Sequence, residues 1–136
     1  FPSRRSSDLI PGKSAAMSEV RDRLISLLTE IPGSRRNGGK SPRLCGNVNV
    51  SFAGIEGESL VLGLDLRGVC ASSGSACASG DEKPSHVLTA MGVPAEFQKG
   101  SLRLTLSEST RMEEAERAAA TVRETVETLR ELRGWK

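Results

Sequence analysis

From Met17 onward, apolar side chains fall at Met17, Val20, Leu24, Leu27 and Ile31, spacings of three and four that predict a helix with one buried face. Pro32 and Gly33 end it. After a turn-rich stretch from Gly33 to Gly46, Val48, Val50 and Phe52 alternate with Asn47, Asn49 and Ser51, the period of two of a half-buried strand. Glu56 to Leu66 fits either period, and the acids at its start with Gly68 beyond its end favour helix. Val69 to Ser72 predicts a short strand that runs into a loop of small residues, Ser73 to Gly80. Ser85 to Met91 predicts a short helix capped by Ser85 and stopped at Gly92. Leu102, Leu104 and Leu106 then alternate with Ser101, Arg103, Thr105 and Ser107, which puts Arg103 on the polar face of a third strand. Thr110 with Glu113 has the form of a capping box, and Ala115, Ala119, Val122, Val126 and Leu129 keep helical spacing up to Gly134. The pattern reads as a small sheet of three or four strands covered by helices. Strands alternating with helices would, by pattern alone, favour parallel pairing.

The chain has 136 residues, 37% of them apolar, enough for one domain with its own core. Its 19 basic and 17 acidic side chains leave a net charge of only +2, which argues against nucleic-acid binding by bulk electrostatics. Phe1, Phe52, Phe97 and Trp135 are the whole aromatic set, too few for a base-stacking platform. The longest apolar run, Leu60 to Leu66, is broken by Gly63 and Asp65 and falls far short of the roughly 20 residues of a membrane span. A soluble protein is expected. The basic residues crowd the start, with nine against four acids in residues 1–43, a pattern that reads as a solvated helix face and loop. Residues 1–14 read as a leader without fold: Arg4 and Arg5 are followed by no apolar stretch of the kind a secretory or twin-arginine signal requires. The absence of an initial Met suggests part of a longer protein.

Three cysteines, Cys45, Cys70 and Cys77, form no CxxC pair, which fits a reducing, cytoplasmic setting. Cys77 lies in Ser72-Ser73-Gly74-Ser75-Ala76-Cys77-Ala78-Ser79-Gly80, a run that has no bulk to bury a thiol and can bring backbone N–H groups close to sulfur. It is the candidate nucleophile. Cys70, flanked by Val69 and Ala71 in the short strand, reads as a buried bystander, and Cys45 as a turn residue with nothing to activate it. His86, the only histidine, opens a short helix and has no partner at a zinc spacing; no metal site is expected.

Taken together, several segments resemble one family. Arg43-Leu44 with Gly46-Asn47-Val48-Asn49-Val50-Ser51-Phe52, Gly54-Ile55-Glu56-Gly57-Glu58-Ser59-Leu60, Ser72 to Gly80, Pro84-Ser85-His86-Val87-Leu88 and Ser101-Leu102-Arg103 are similar, in order and spacing, to the small C-terminal domain of the pyridoxal-phosphate-dependent cysteine desulfurases whose loop reads SSGSAC. The resemblance runs from about Ala15 to Leu132, with residues 15–136 taken as that domain, and it implies the α+β fold class, a small, mostly antiparallel sheet covered by helices within a fold-type I enzyme. It implies that Cys77 takes sulfur from L-cysteine as a persulfide and leaves alanine, and that Arg103 clamps the substrate carboxylate. It implies pyridoxal phosphate as cofactor, a homodimer, and a sulfur-acceptor protein such as an iron-sulfur scaffold or a tRNA-thiolation factor as partner. Two departures stand out: Ser107-Glu108 where the family has Gly-Arg, and Cys45 where it has Pro. The family's cofactor lysine, preceded by histidine, has no counterpart among Lys13, Lys40, Lys83, Lys99 and Lys136, so the segment by itself is expected to be inactive. Selenocysteine lyase, which shares the cofactor and the cleavage, and a stand-alone persulfide carrier without cofactor are the alternatives.

Overall fold

The computed structural model describes residues 2–39, 42–74 and 85–135, the first eight of these by backbone alone. Its elements are α1 (Pro2–Thr29), β1 (Ser34–Arg36), β2 (Asn47–Phe52), α2 (Gly57–Asp65), α3 (His86–Ala90), α4 (Ala95–Gln98), β3 (Ser101–Thr105) and α5 (Met112–Arg133). The three strands form one sheet in the order β1-β2-β3 with antiparallel pairing throughout. The resemblance therefore gave the right sheet and the alternation rule did not: the helical crossover the rule relies on is absent between β1 and β2, and β3 returns beside β2 in the opposite sense.

One sheet face is apolar. Val48, Val50 and Phe52 are fully buried, and across from them Leu102 and Leu104 are nearly so. Against this face lie Leu24, Leu28 and Ile31 of α1 with its C-terminal turn, Leu60 and Leu64 of α2, and Ala115, Ala119, Val122 and Val126 of α5. The small side chains on α5 suit its close packing against α1. The buried stripe of α1 is rotated from the sequence reading: Leu24, Ile25 and Leu28 are buried, whereas Val20 and Leu27 flank the core. The helix is packed from three elements at once, so its inward face is wider than one seam.

Four local expectations are corrected. Residues 2–14, read as a leader without fold, are helical and continuous with the packed part of α1, with Pro11 carried within it. Val69 to Ser72 makes a single antiparallel bridge, Ser72 to Arg103, rather than a strand. Cys70 is exposed, because the alternation that turns Val69 and Ala71 inward turns the residue between them outward. The last helix is closed one residue later than Thr110 suggests: the Glu114 carboxylate accepts the Arg111 N–H at 2.8 Å, and this bond holds the Glu114 carboxyl below its ordinary pKa. Thr110 Oγ1 instead accepts the Ser107 N–H at 3.0 Å. The Ser107-Glu108 departure is thus accommodated in a self-bonded turn whose Glu108 pairs with Lys13 at 2.8 Å. No described helix is long and apolar enough to cross a membrane.

Gly100 fixes the approach of β3 to the end of β2. Its carbonyl accepts the Phe52 N–H at 2.9 Å, and a Cβ on it would overlap the Phe52 carbonyl oxygen and come within 3.2 Å of Ile55 O. Since the obstacles are backbone atoms and cannot rotate away, Gly100→Ala is expected to cost at least about 2 kcal/mol. Urea unfolding of the chain checks it, and an unchanged midpoint would contradict the packing described.

Candidate active site

The face of the sheet opposite the core is polar. Antiparallel partners share a face, so Asn49 on β2 stands beside Arg103 on β3, and Ser51 beside Ser101. At the Ser51–Ser101 end the face is closed, both serines being buried. At the Arg103 end it is open. Arg103 therefore sits where the reading of a polar strand face placed it, and among the described residues nothing accepts a hydrogen bond or makes an ion pair with its guanidinium.

Its backbone is occupied, however. The Arg103 N–H donates to Ser72 O at 2.6 Å and the Ser72 N–H donates to Arg103 O at 3.0 Å, a reciprocal pair that ties the start of the small-residue loop to the outer edge of β3. Ser72 Oγ donates to Gly74 O at 3.0 Å, turning the chain immediately. Gly57 makes room for this turn: a Cβ there would lie 2.8 Å from Ser73 Cβ and 2.7 Å from Ser101 O, while the Gly57 N–H donates to Lys99 O at 2.7 Å. Three separate sequence motifs, around Gly57, Ser72 and Ser101, converge on one point. Cys77 itself lies outside the described residues.

A second polar group backs this face. Asn37, just past β1, is 4% exposed; its amide nitrogen Nδ2 donates to Asn49 Oδ1 at 2.6 Å and to Ser51 Oγ at 2.7 Å, and its N–H donates to Asn49 O at 2.9 Å. Asn37 Oδ1 is buried without a partner. The sequence reading missed this group. Arg36-Asn37-Gly38-Gly39 reads as a turn, and the alternation of β2 gives the face of Asn49 but not the strand it lies beside.

Of the other candidates, His86 is exposed at the start of α3. Cys45 is half-buried in its turn, with Sγ 3.9 Å from Met17 Sδ. The cradle for a pyridoxal phosphate is not found among the described residues. Lys13 is taken up by Glu108 and Lys99 is exposed. The grooves between α1 and α5 and along the edge of β3 contain no lysine, so a cofactor would have to be held by residues other than these.

The family model for class-V aminotransferases matches residues 13–118. A protein named cysteine desulfurase IscS from Methanosarcina thermophila is 47% identical over 123 residues, covering 90% of this chain and 30% of that protein. A second of the same name from Clostridium botulinum is 50% identical over 100 residues, covering 71% of this chain and 25% of that protein. Among solved structures, a NifS-like protein from Rickettsia africae superimposes with a TM-score of 0.75 at 25% identity, over 88% of this chain and 31% of that one. The chain thus spans about 30% of the length of the curated relatives it matches. Since the family match takes in the polar sheet face, the Ser72 bridge and most of the core, the chain belongs to the class-V aminotransferase family.

Proposed function

We propose that this chain is the C-terminal small domain of a cysteine desulfurase, which takes sulfur from L-cysteine and leaves L-alanine. The observation that carries the reading is the reciprocal bridge between Ser72 and Arg103. The root of the small-residue loop lies against the backbone of Arg103, whose guanidinium has no partner among the described residues, and this supports a reading in which one small region serves both ends of a cysteine molecule. Identities of 44–50% to proteins named cysteine desulfurase support it.

In this reading Arg103 receives the carboxylate. Its guanidinium is a planar fork that stays charged and can offer two parallel donors, and it is open to a ligand because no described side chain competes for it. Cys77 follows Ser72 by five residues, a reach of at most about 18 Å, so its sulfur can attend a substrate held at Arg103 and can also leave it. As a thiolate, Cys77 attacks the substrate sulfur; the new S–S bond forms, the C–S bond breaks, and the electron pair departs with the carbon, which takes up protons and ends as alanine. Pyridoxal phosphate, bound by the remainder of the enzyme, supplies the electron sink for that carbon. The persulfide is then presented to an acceptor protein of iron-sulfur assembly or tRNA thiolation, in a cytoplasmic homodimer. A thiol with an ordinary pKa near 8.5 is only a few per cent thiolate at neutral pH, so the site must assist its ionisation.

The test replaces the matching segment of the Methanosarcina thermophila relative by this chain and measures alanine and sulfide formed from L-cysteine. In this chimera Arg103→Ala is expected to lower kcat/KM by about tenfold to a hundredfold, the worth of a charge-assisted hydrogen bond. Arg103→Lys recovers only part, since an ammonium lacks the paired donors. A chimera that binds cofactor but forms no alanine, or one indifferent to both substitutions, refutes the reading.

A further inference from the structure

We infer that Asn49 is a second donor to the substrate carboxylate, its amide oriented beside Arg103 by Asn37 and Ser51. The inference rests on the role given to Arg103 above. Asn49 and Arg103 are direct cross-strand partners, and side chains at such positions have Cβ atoms about 4.5–5.5 Å apart. An amide has one acceptor end and one donor end. In Asn49 the acceptor end is taken, because Oδ1 receives the Asn37 Nδ2 hydrogen at 2.6 Å, and Asn37 is itself buried and bonded to Ser51 Oγ at 2.7 Å. Nδ2 of Asn49 is thereby committed to the other side, and no described group accepts from it.

Two donors, an amide NH₂ and a guanidinium, therefore stand on adjacent strands of one face with no acceptor among the described residues between them. A structural asparagine on an open sheet face would be free to turn its amide and accept from the arginine. Here the bond from Asn37 holds the Asn49 oxygen toward β1, while Asn37 Oδ1 is left unpartnered in the interior. A ligand that satisfies both donors must bring an acceptor with at least two oxygens, and a carboxylate has that shape.

The substitution that separates this role from a structural one is Asn49→Asp. It is isosteric and keeps the Oδ1 that holds Asn37, but replaces the donor by an oxygen that repels a carboxylate and competes for Arg103. In the chimera, KM for L-cysteine is expected to rise about tenfold or more, with most of the change in KM rather than kcat. Competitive inhibition distinguishes which end of the substrate is sensed: the inhibition constant of 3-mercaptopropionate, which carries a carboxylate and no amine, rises by a similar factor, while that of cysteamine, which carries an amine and no carboxylate, stays within about twofold. If both inhibitors weaken together, or neither does, Asn49 is not a carboxylate donor although the enzyme is still a desulfurase. If the chimera binds cofactor but takes no cysteine at all, the functional reading falls and the inference with it.

Discussion

Replacing Cys77 by serine in the chimera is expected to abolish sulfide and persulfide formation from L-cysteine, a loss of about three orders of magnitude or more, equivalent to roughly 4 kcal/mol of barrier. The reason is chemical. A serine hydroxyl is scarcely ionised near neutral pH and cannot hold sulfane sulfur, whereas substrate and cofactor binding, which do not pass through this atom, persist. Cys45→Ser and Cys70→Ser serve as controls. Cys70 is exposed, so its replacement removes no core packing and is expected to leave stability within about 0.5 kcal/mol. Its exposure also means that alkylation rate alone does not identify the nucleophile; turnover of the three single variants does. Activity retained by Cys77→Ser, or lost in Cys70→Ser, would move the assignment.

The second large effect is expected at Arg130, which has no part in the chemistry. Only 6% exposed, it donates from Nε to Ala53 O at 3.1 Å and from Nη2 to the same oxygen at 2.9 Å. Nη1 reaches Pro32 O at 2.5 Å and Nη2 reaches Gly33 O at 3.3 Å, and the guanidinium lies 4.0 Å from the Trp135 ring centre. One side chain thus joins the end of α5, the turn after α1 and the end of β2. Burial pushes its pKa below the ordinary arginine value, with Glu127 opposing; among the described residues no carboxylate pairs with it, and backbone carbonyls with an aromatic face take that place. Arg130→Ala leaves the Pro32 and Ala53 carbonyls without their donor, each costing about 1–3 kcal/mol when buried, and removes the packed stem as well. A total near 3–5 kcal/mol is expected, with Arg130→Lys recovering little because one ammonium cannot span the three carbonyls. Trp135, the sole tryptophan, reports unfolding by fluorescence in urea. A loss below about 1 kcal/mol would show that these contacts are incidental.

Arg130 also illustrates what a linear pattern conceals. Along α5 it occupies a position next to Leu129 and between Thr128 and Glu131, and nothing in the period of that helix distinguishes it from Arg123 or Arg133, which pair with Glu30 and Glu56 at the surface. Asn37 is similar, a turn asparagine by its neighbours and a buried hub in space. Both owe their role to carbonyls or side chains at distant positions in the chain.

Residue order determined which face of β2, β3 and α5 is apolar. Their alternation and spacing follow from side-chain geometry within one element, and the core they predict is close to the one observed. It determined that Arg103 is turned from that core, and, through the resemblance, the family. Only the tertiary structure decided that Asn49 stands opposite Arg103, that Ser72 closes onto its backbone, that Cys70 faces outward and that α1 continues to Pro2. These are matters of register and of packing between elements far apart in sequence, and a periodicity specifies a face without naming the partner laid against it.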